Sequence, residues 1–257
     1  MTIMTEALLT VLLQYSLVTA FAVTGLILYF SNVLSDKLTA GRLHGSAIAI
    51  MLGLALSALA GSLTGGSRGL ADFPALAGIG LMGSAMLRDL TIVATAFGVH
   101  IDELKQAGLV GTFSLLAGLF APFVVGAGVA YAFGYQDPVS MTTLGAGAAT
   151  YIVGPVTGSA LGASSEVITL SVAAGLIKSM LVMIMTPLMA RPIGLDNPRA
   201  AMIFGGLMGT TSGVTAGLAA TDSRLVPYGA MTATFYTGLG CFLGPSVMYT
   251  LIRAAVL

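Results

Sequence analysis

Long apolar segments with very few charges constrain this chain more than any other feature. Stretches of about 20 apolar residues are long enough to span a bilayer as helices. Only 8% of the residues are charged, whereas soluble domains carry about 25%. The sequence therefore predicts an all-α polytopic integral membrane protein. Its apolar stretches cover most of the 257 residues, at 7–30, 45–63, 73–99, 107–133, 139–165, 167–190, 200–221 and 226–252.

These segments follow one another without a long linker, which favours a single transmembrane domain over residues 1–257. Within it, we expect residues 1–134 to supply N-terminal helices and residues 135–257 to contain a repeat and the binding site. No Lys or Arg precedes the first segment, and the segment is longer than the apolar core of a signal peptide. We therefore expect it to be a true membrane helix.

Two of the segments are rich in glycine, serine and threonine and resemble each other. Residues 154–162 (GPVTGSALG) and 209–217 (GTTSGVTAG) align at an offset of 55 residues and share the pattern G-x-x-[ST]-G-x-x-x-G. An acidic residue follows each segment, Glu166 and Asp222 respectively. G-x-x-x-G alone is a common helix-packing pattern in membranes. The added hydroxyl residue and glycine favour interrupted helices of the kind that form transporter sites.

The charges in the loops favour one topology. Cytoplasmic loops are enriched in Lys and Arg, so Lys37 and Arg42 predict a cytoplasmic loop and a periplasmic N-terminus. Arg191 and Arg199 reach the same side only if residues 139–165 form a re-entrant hairpin. We therefore predict about six full crossings plus two re-entrant or broken segments in inverted repeat. If both segments instead cross fully, the repeats are parallel, and this alternative stays open.

The interrupted helices predict two kinds of binding group. Amides at a helix N-terminus attract anions, and free carbonyls at helix ends suit a hard cation such as sodium. We expect a small anionic solute with sodium as the coupling ion. The predicted substrate-binding residues are Thr157, Gly158, Ser159, Thr211, Ser212, Gly213 and Thr215, and the predicted cation-binding residues are Gly154, Gly209, Glu166 and Asp222. For the two acidic residues, a simple position at the membrane interface is the alternative.

Three other charged residues fall inside apolar segments, namely Arg88, Asp89 and Lys178. Ionisable groups inside a membrane are costly and often functional. We add Arg88 and Lys178 to the predicted substrate-binding residues, because a guanidinium can hold a carboxylate in a bidentate manner. The alternatives are an interfacial or intersubunit role for Arg88 and Asp89, and pairing of Lys178 with Glu166 or Asp222.

No catalytic, nucleotide-binding or His/Cys metal pattern occurs in the sequence. The chain has two His and one Cys, which cannot make a typical zinc site, and it lacks a Gly-x-Ser-x-Gly nucleophile motif. Its ten basic and ten acidic residues balance, so no tail suggests nucleic acid. We therefore predict no enzyme activity, no cofactor, no metal beyond sodium and no nucleic-acid partner.

Several runs outside the repeat resemble one particular family. These runs are residues 41–50 (GRLHGSAIAI), 70–73 (LADF), 78–83 (GIGLMG), 88–89 (RD) and 92–97 (IVATAF). They are similar to the MadM subunit of bacterial malonate transporters, and the similarity extends over nearly the whole chain. The smaller-plus-larger subunit arrangement is also similar to that of the LrgA/LrgB pair.

The resemblance implies sodium-coupled import of malonate through the bacterial inner membrane, with a small MadL-like membrane subunit as partner. A higher oligomer is left open. The alternatives are an LrgB-like membrane protein without transport activity and a transporter of another small carboxylate, such as glycolate or glycerate. The resemblance brings no set of binding residues with it, so the site residues depend on the repeat.

Overall fold

The structure is a computed structural model that describes residues 10–39, 45–66, 68–82 and 101–256. The chain divides into two compact units, residues 1–94 and 95–257. The described residues form helices and turns without any β-strand. Five helical segments among them are long and apolar enough to cross a membrane: Ser16–Leu38, Ile48–Leu76, Gly108–Ala132, Ser165–Met189 and Ser223–Val256. The chain is therefore an α-helical, multi-pass membrane protein.

The first unit is built on two long helices that pack together, α1 (Ser16–Thr39) and α2 (Gly45–Thr64). Two 3₁₀ turns, Gly69–Asp72 and Pro74–Leu76, lead to a short helix α3 (Gly78–Met82) that packs on α1. We expected the first apolar helix to end at residue 30, which was wrong. Residues 31–39 contain neither glycine nor proline, so the helix continues and Lys37 lies in its last turn. Residues 83–100, with Arg88 and Asp89, lie outside the described residues.

The second unit carries the two Gly/Ser/Thr-rich segments between longer helices. The predicted segments 107–133 and 167–190 are confirmed as α4 and α7. Both Gly/Ser/Thr-rich segments are broken into two short helices, as expected. The order of elements is α4 (Ile101–Ala132), α5 (Pro138–Ala149), α6 (Val153–Leu161), α7 (Ser165–Met189), α8 (Pro198–Met208), α9 (Thr211–Ala219), α10 (Val226–Leu243), a π-helical turn (Gly244–Met248) and α11 (Tyr249–Val256).

Helices α5 and α6 lie side by side and run in opposite directions, and we call them the first hairpin. A Cβ added to Gly154 would lie 2.8 Å from Cα of Gly147, and one added to Gly158 would lie 2.7 Å from Cγ2 of Thr143. Later residues of α6 therefore approach earlier residues of α5, which is the pattern of antiparallel packing. The break lies at Thr150, whose extended backbone ends α5.

Helices α8 and α9 form the second hairpin, and both pack against α10. Gly229 of α10 contacts Ala201 near the start of α8 and also Leu218 near the end of α9. The start of α8 and the end of α9 therefore lie at the same level along α10. Helix α8 stops at Gly209, whose φ of 62° is the left-handed conformation that glycine adopts without strain. At this tip, a Cβ on Gly209 would collide with the ring of Tyr236, so the close approach also requires glycine.

The two hairpins extend along α7 from its opposite ends. In the first hairpin, a Cβ on Gly158 would lie 2.8 Å from Cγ1 of Ile168, close to the start of α7. In the second hairpin, a Cβ on Gly217 would lie 2.6 Å from Cβ of Thr186, close to the end of α7. Both tips consequently reach the middle of α7.

A repeat of 60 residues relates the two hairpins and the turns that precede them. Gly134 and Gly194 both have positive φ angles, 93° and 65°. Asp137 and Asn197 cap α5 and α8 in the same way, through backbone N–H donors at 2.8 and 2.9 Å. The repeat register from the sequence was therefore wrong. A 55-residue offset pairs Gly154 with Gly209, but the first lies inside α6 while the second ends α8.

The same 60-residue relationship extends to two apolar grooves. One groove has a volume of about 650 Å³ and is lined by Pro122, Val125, Gly126, Val129, Ala130, Phe133, Tyr135, Leu144, Ala148, Leu170, Ala174 and Lys178. The other, of about 340 Å³, is lined by Leu181, Val182, Met185, Thr186, Met189, Ile193, Phe204 and Met208. All but Leu181 in the smaller groove have a counterpart 60 residues earlier in the larger one. The smaller groove has the larger side chains Phe204 and Met208 where the larger groove has Leu144 and Ala148, which reduces its volume. Of these two grooves, only the larger one is lined by Lys178.

Candidate functional site

The tips of the two hairpins meet through a chain of hydroxyl groups beside α7. The hydroxyl of Tyr151, at the first tip, lies 3.3 Å from the hydroxyl of Ser212, at the second tip. The Ser212 hydroxyl is also 2.8 Å from the hydroxyl of Ser179 on α7. Ser179 is completely buried. Three polar groups that are distant in sequence thus converge within the apolar interior.

The neighbouring residue, Lys178, brings a positive charge to the same level of α7. Its ammonium donates a hydrogen bond of 2.6 Å to the carbonyl oxygen of Ala149, the last residue of α5. It also lies 3.4 Å from the hydroxyl of Tyr236 and 5.3 Å from the centre of that ring. No carboxylate of the described residues lies within ion-pair distance of it. Its acceptors among the described residues are neutral oxygens.

Tyr236 connects both tips to α4. Its side chain is fully buried, and its ring packs against Gly209 at the second tip. Its hydroxyl is 2.8 Å from the carbonyl oxygen of Gly118 in α4 and 3.2 Å from that of Ala149 at the first tip. A hydroxyl has one proton, so it donates to one of these carbonyls at a time.

Each tip also presents the N-terminus of a short helix, α6 in the first hairpin and α9 in the second. The first amides of a helix have no intrahelical acceptor and carry partial positive charge. Thr150 and Thr210 occupy equivalent positions at these two breaks, and both hydroxyls are buried without a hydrogen-bond partner among the described residues. At the start of α6, the amides of Val153 and Gly154 donate to the carbonyl of Thr150, and Pro155 has no N–H. The tips therefore combine hydroxyl groups, one ammonium group and, at the start of α9, helix amides of the kind that attract anions.

The structure brings together only part of the predicted substrate-binding set. Ser212 and Lys178 lie at the tips, with Thr211 and Gly213 beside Ser212 at the start of α9. The hydroxyl of Thr215 points back to the carbonyl of Thr211 at 2.6 Å.

The residues predicted in the first hairpin lie farther along it. Thr157, Gly158 and Ser159 follow the break by seven to nine residues of chain, or about 10 Å along a helix. Thr157 is buried against Gly244 of the π-helical turn, and its hydroxyl has no partner among the described residues. Gly158 packs within the hairpin, while Ser159 is exposed.

The predicted cation-binding carboxylates lie at helix ends rather than at the tips. Glu166, in the first turn of α7, accepts a 3.4 Å hydrogen bond from Tyr135, whose pKa is raised by desolvation and then by this carboxylate. Asp222 forms an ion pair of 2.7 Å with Arg224, and hydrogen bonds from Arg224 lower the pKa of Asp222. Of the predicted cation-binding residues, only Gly209 lies at a tip; Gly154 follows the first break by four residues.

Sequence reasoning missed Tyr151, Ser179 and Tyr236, and the signal for them was weak. Serine and tyrosine occur throughout the chain, and only the register of the hairpins identifies these three. A better register was available from two turns, GYQDP at 134–138 and GLDNP at 194–198. Aligning them gives the 60-residue offset and pairs Thr150 with Thr210.

Comparison with known proteins identifies one family. The sequence matches the family described as malonate/sodium symporter MadM subunit over residues 8–256, nearly the whole chain. No curated protein matches the chain significantly. No solved structure does so either. The family match agrees with a multi-pass membrane protein, and the family is one of transporter subunits. The chain therefore belongs to the MadM family of malonate/sodium symporter subunits.

Proposed function

We propose that this chain imports malonate together with sodium across the bacterial inner membrane, in association with a small MadL-like membrane subunit. The observation that carries the proposal is the convergence of two hairpin tips on Lys178 and Ser179. Family membership supplies the identity of the solute and the ion. The geometry supports an anion site without depending on the family name.

The chemistry of the tips fits a dianion with two carboxylates close together. One carboxylate is placed at the N-terminus of α9, where the hydroxyls of Ser212 and Ser179 donate to it. The second carboxylate faces the N-terminus of α6 and pairs with the ammonium of Lys178. Two helix N-termini and one ammonium provide compensating charge, because each N-terminus carries roughly half a unit of positive charge.

The remaining predicted residues keep a place in this proposal. Gly158 and Gly213 let the helices approach closely. Thr157, Ser159 and Thr215 remain proposed substrate-binding residues. Arg88 remains a proposed carboxylate ligand. Gly154, Gly209, Glu166 and Asp222 remain proposed contributors to cation binding, with Gly209 at the tip itself.

We further propose that the hairpins are re-entrant and form an inverted repeat. The extension of the hairpins from opposite ends of α7 supports this arrangement, as does the 60-residue repeat of their capping turns. In such an arrangement, the tips meet near the bilayer midplane, where each side of the membrane can be opened in turn. The N-terminus is then periplasmic and the turn at residues 191–197 cytoplasmic.

Uptake of labelled malonate by proteoliposomes tests the function. We expect uptake when the chain is reconstituted with the small subunit and an inward sodium gradient is imposed, and much less when potassium replaces sodium. Uptake that ignores the sodium gradient would reject coupling. Absence of malonate uptake, with glycolate or glycerate transported instead, would reject the solute.

A further inference from the structure

Lys178 holds an unusual position for a cation inside a membrane protein. Its ammonium donates at 2.6 Å to a backbone carbonyl, that of Ala149, and has no carboxylate partner among the described residues. Ionisable groups at this depth normally pair with an opposite charge or with backbone carbonyls that are free to accept. The position therefore marks a place where a positive charge is stabilised by neutral oxygens.

The carbonyl of Ala149 has no donor from its own helix because the helix breaks beside it. In a continuous helix it would accept from the amide of Val153, but that amide donates to Thr150 instead, at 3.0 Å. The amide of Gly154 also donates to Thr150, at 3.3 Å. Unwound carbonyls at helix ends are the groups that bind sodium in transporters built from broken helices. The carbonyl oxygen of Ala149 is thus of the kind that can bind a cation.

One neutral oxygen adjoins this carbonyl, and a second belongs to the next residue in the chain. The Tyr236 hydroxyl oxygen lies 3.2 Å from the carbonyl oxygen, a separation that fits two ligands of one ion held at about 2.3–2.6 Å, the distance for calcium, an ion of nearly the same size as sodium. The proton of Tyr236 has another acceptor, the carbonyl of Gly118 at 2.8 Å. The next residue, Thr150, carries a hydroxyl that is buried without a partner among the described residues. A buried hydroxyl of this kind favours a ligand, because leaving it unpaired costs about 1–3 kcal/mol.

We propose that these oxygens form the coupling-cation site and that the ammonium of Lys178 is its built-in competitor. The inference rests on the proposed function for the identity of the ion and the solute. Sodium displaces the ammonium from Ala149, and the long, flexible side chain then turns toward the malonate carboxylate. Malonate in turn holds the ammonium away from the carbonyl and leaves the site to sodium. Each ligand therefore strengthens the binding of the other by the same factor.

The test is direct binding of radioactive sodium and of labelled malonate to the purified full chain, reconstituted with the small subunit in lipid nanodiscs. In Lys178→Met, which removes the charge but keeps the length, we expect sodium to bind about tenfold more tightly without malonate. Malonate should no longer tighten sodium binding in this variant. Lys178→Gln should behave alike, which guards against a folding defect in one variant. Lys37→Met, which changes an exposed lysine, is the matched control and should bind sodium as the unmodified chain does.

A substitution at Thr150 should shift sodium binding in the opposite direction. Thr150→Val removes the hydroxyl but keeps the shape, so we expect about tenfold weaker sodium binding. Thr169→Val, at an exposed threonine of α7, is its control. The proposal is overturned if Lys178→Met binds sodium no more tightly than the unmodified chain, or still responds to malonate. Failure of the unmodified chain to bind malonate in saturating sodium rejects the proposed function instead, since the sodium curves are compared without malonate.

Discussion

The hydroxyl of Tyr151 lies 3.3 Å from the hydroxyl of Ser212, although 61 positions separate the two residues. This contact joins the tips of the two hairpins. Beside this contact, the middle of α7, with Lys178 and Ser179, faces a small group of polar atoms. The transport proposal depends on this contact between the two hairpin tips.

Replacing Ser212 with alanine should weaken malonate transport without unfolding the protein. Its hydroxyl bonds to both Ser179 and Tyr151, and a hydrogen bond to a charged group is worth about 1.5–3 kcal/mol. We expect the KM for malonate uptake to rise roughly tenfold or more. Ser246→Ala is the control, because that exposed hydroxyl bonds only to its own helix, at Phe242. Equal KM values in the two variants would remove Ser212 from the site.

Introducing valine at Gly158 should separate the two helices of the first hairpin. The new Cβ would lie 2.7 Å from Cγ2 of Thr143 and 2.8 Å from Cγ1 of Ile168, and overpacking of this kind costs about 1–3 kcal/mol. We expect membrane insertion to persist while malonate uptake falls at least about tenfold. Gly213→Val should act alike in the second hairpin, where the Cβ would lie 2.9 Å from the Ser179 carbonyl oxygen.

Gly128→Val is the control for both glycine variants. Gly128 lies on α4, and an added Cβ would have no described atom within 4 Å beyond the adjoining residues and backbone of its own helix. Valine there should leave uptake close to that of the unmodified chain. Unchanged uptake in Gly158→Val and Gly213→Val as well would contradict the role given to the hairpins.

Cysteine labelling should separate the inverted from the parallel arrangement. Gln136 and Asp196 are exposed and hold equivalent positions in the 60-residue repeat. In a Cys241→Ser background, a cysteine at Gln136 should react with an impermeant reagent from the periplasm, and one at Asp196 only from the cytoplasm. Labelling of both from the same side would show that the repeats are parallel and would reject re-entrant hairpins.

The side chain of Asp137, which caps α5, should make the stability of the fold depend on pH in the acid range. Partial burial raises the pKa of Asp137, but hydrogen bonds from Ser140 and Val139 outweigh it and leave the pKa below its ordinary 3.8. A lowered pKa in the folded state stabilises the fold above about pH 3.8, and this contribution is lost as the pH falls through the folded-state pKa. The stabilisation is therefore complete at neutral pH.

Two substitutions of Asp137 test this cap by thermal unfolding in detergent, followed by circular dichroism across a pH series. Asp137→Asn should match the unmodified chain at pH 7, because Asn197 caps the second hairpin in the same way, and should lose less stability in acid. Asp137→Ala should lose about 1 kcal/mol at pH 7. An identical acid response of the unmodified chain and Asp137→Asn would show that the carboxylate does not contribute.

Several elements of the site could be recognised in advance. The long helices follow from apolar length, and α7 was predicted to within two residues at each end. The glycine, serine and threonine content of residues 139–165 and 200–221 indicated that these segments would be interrupted. Composition does not give the exact position of a break, since this position depends on one extended residue such as Thr150.

The helical character, the membrane location and the two interrupted segments could be read from the residues alone, because these properties depend on the character of neighbouring residues. The register of the repeat and the partners of Lys178 emerge only from the packing of the folded chain. The ammonium bonds to Ala149, 29 positions earlier, and approaches Tyr236, 58 positions later. Such contacts arise from the way helices pack against one another, and nothing in the local sequence of α7 specifies them.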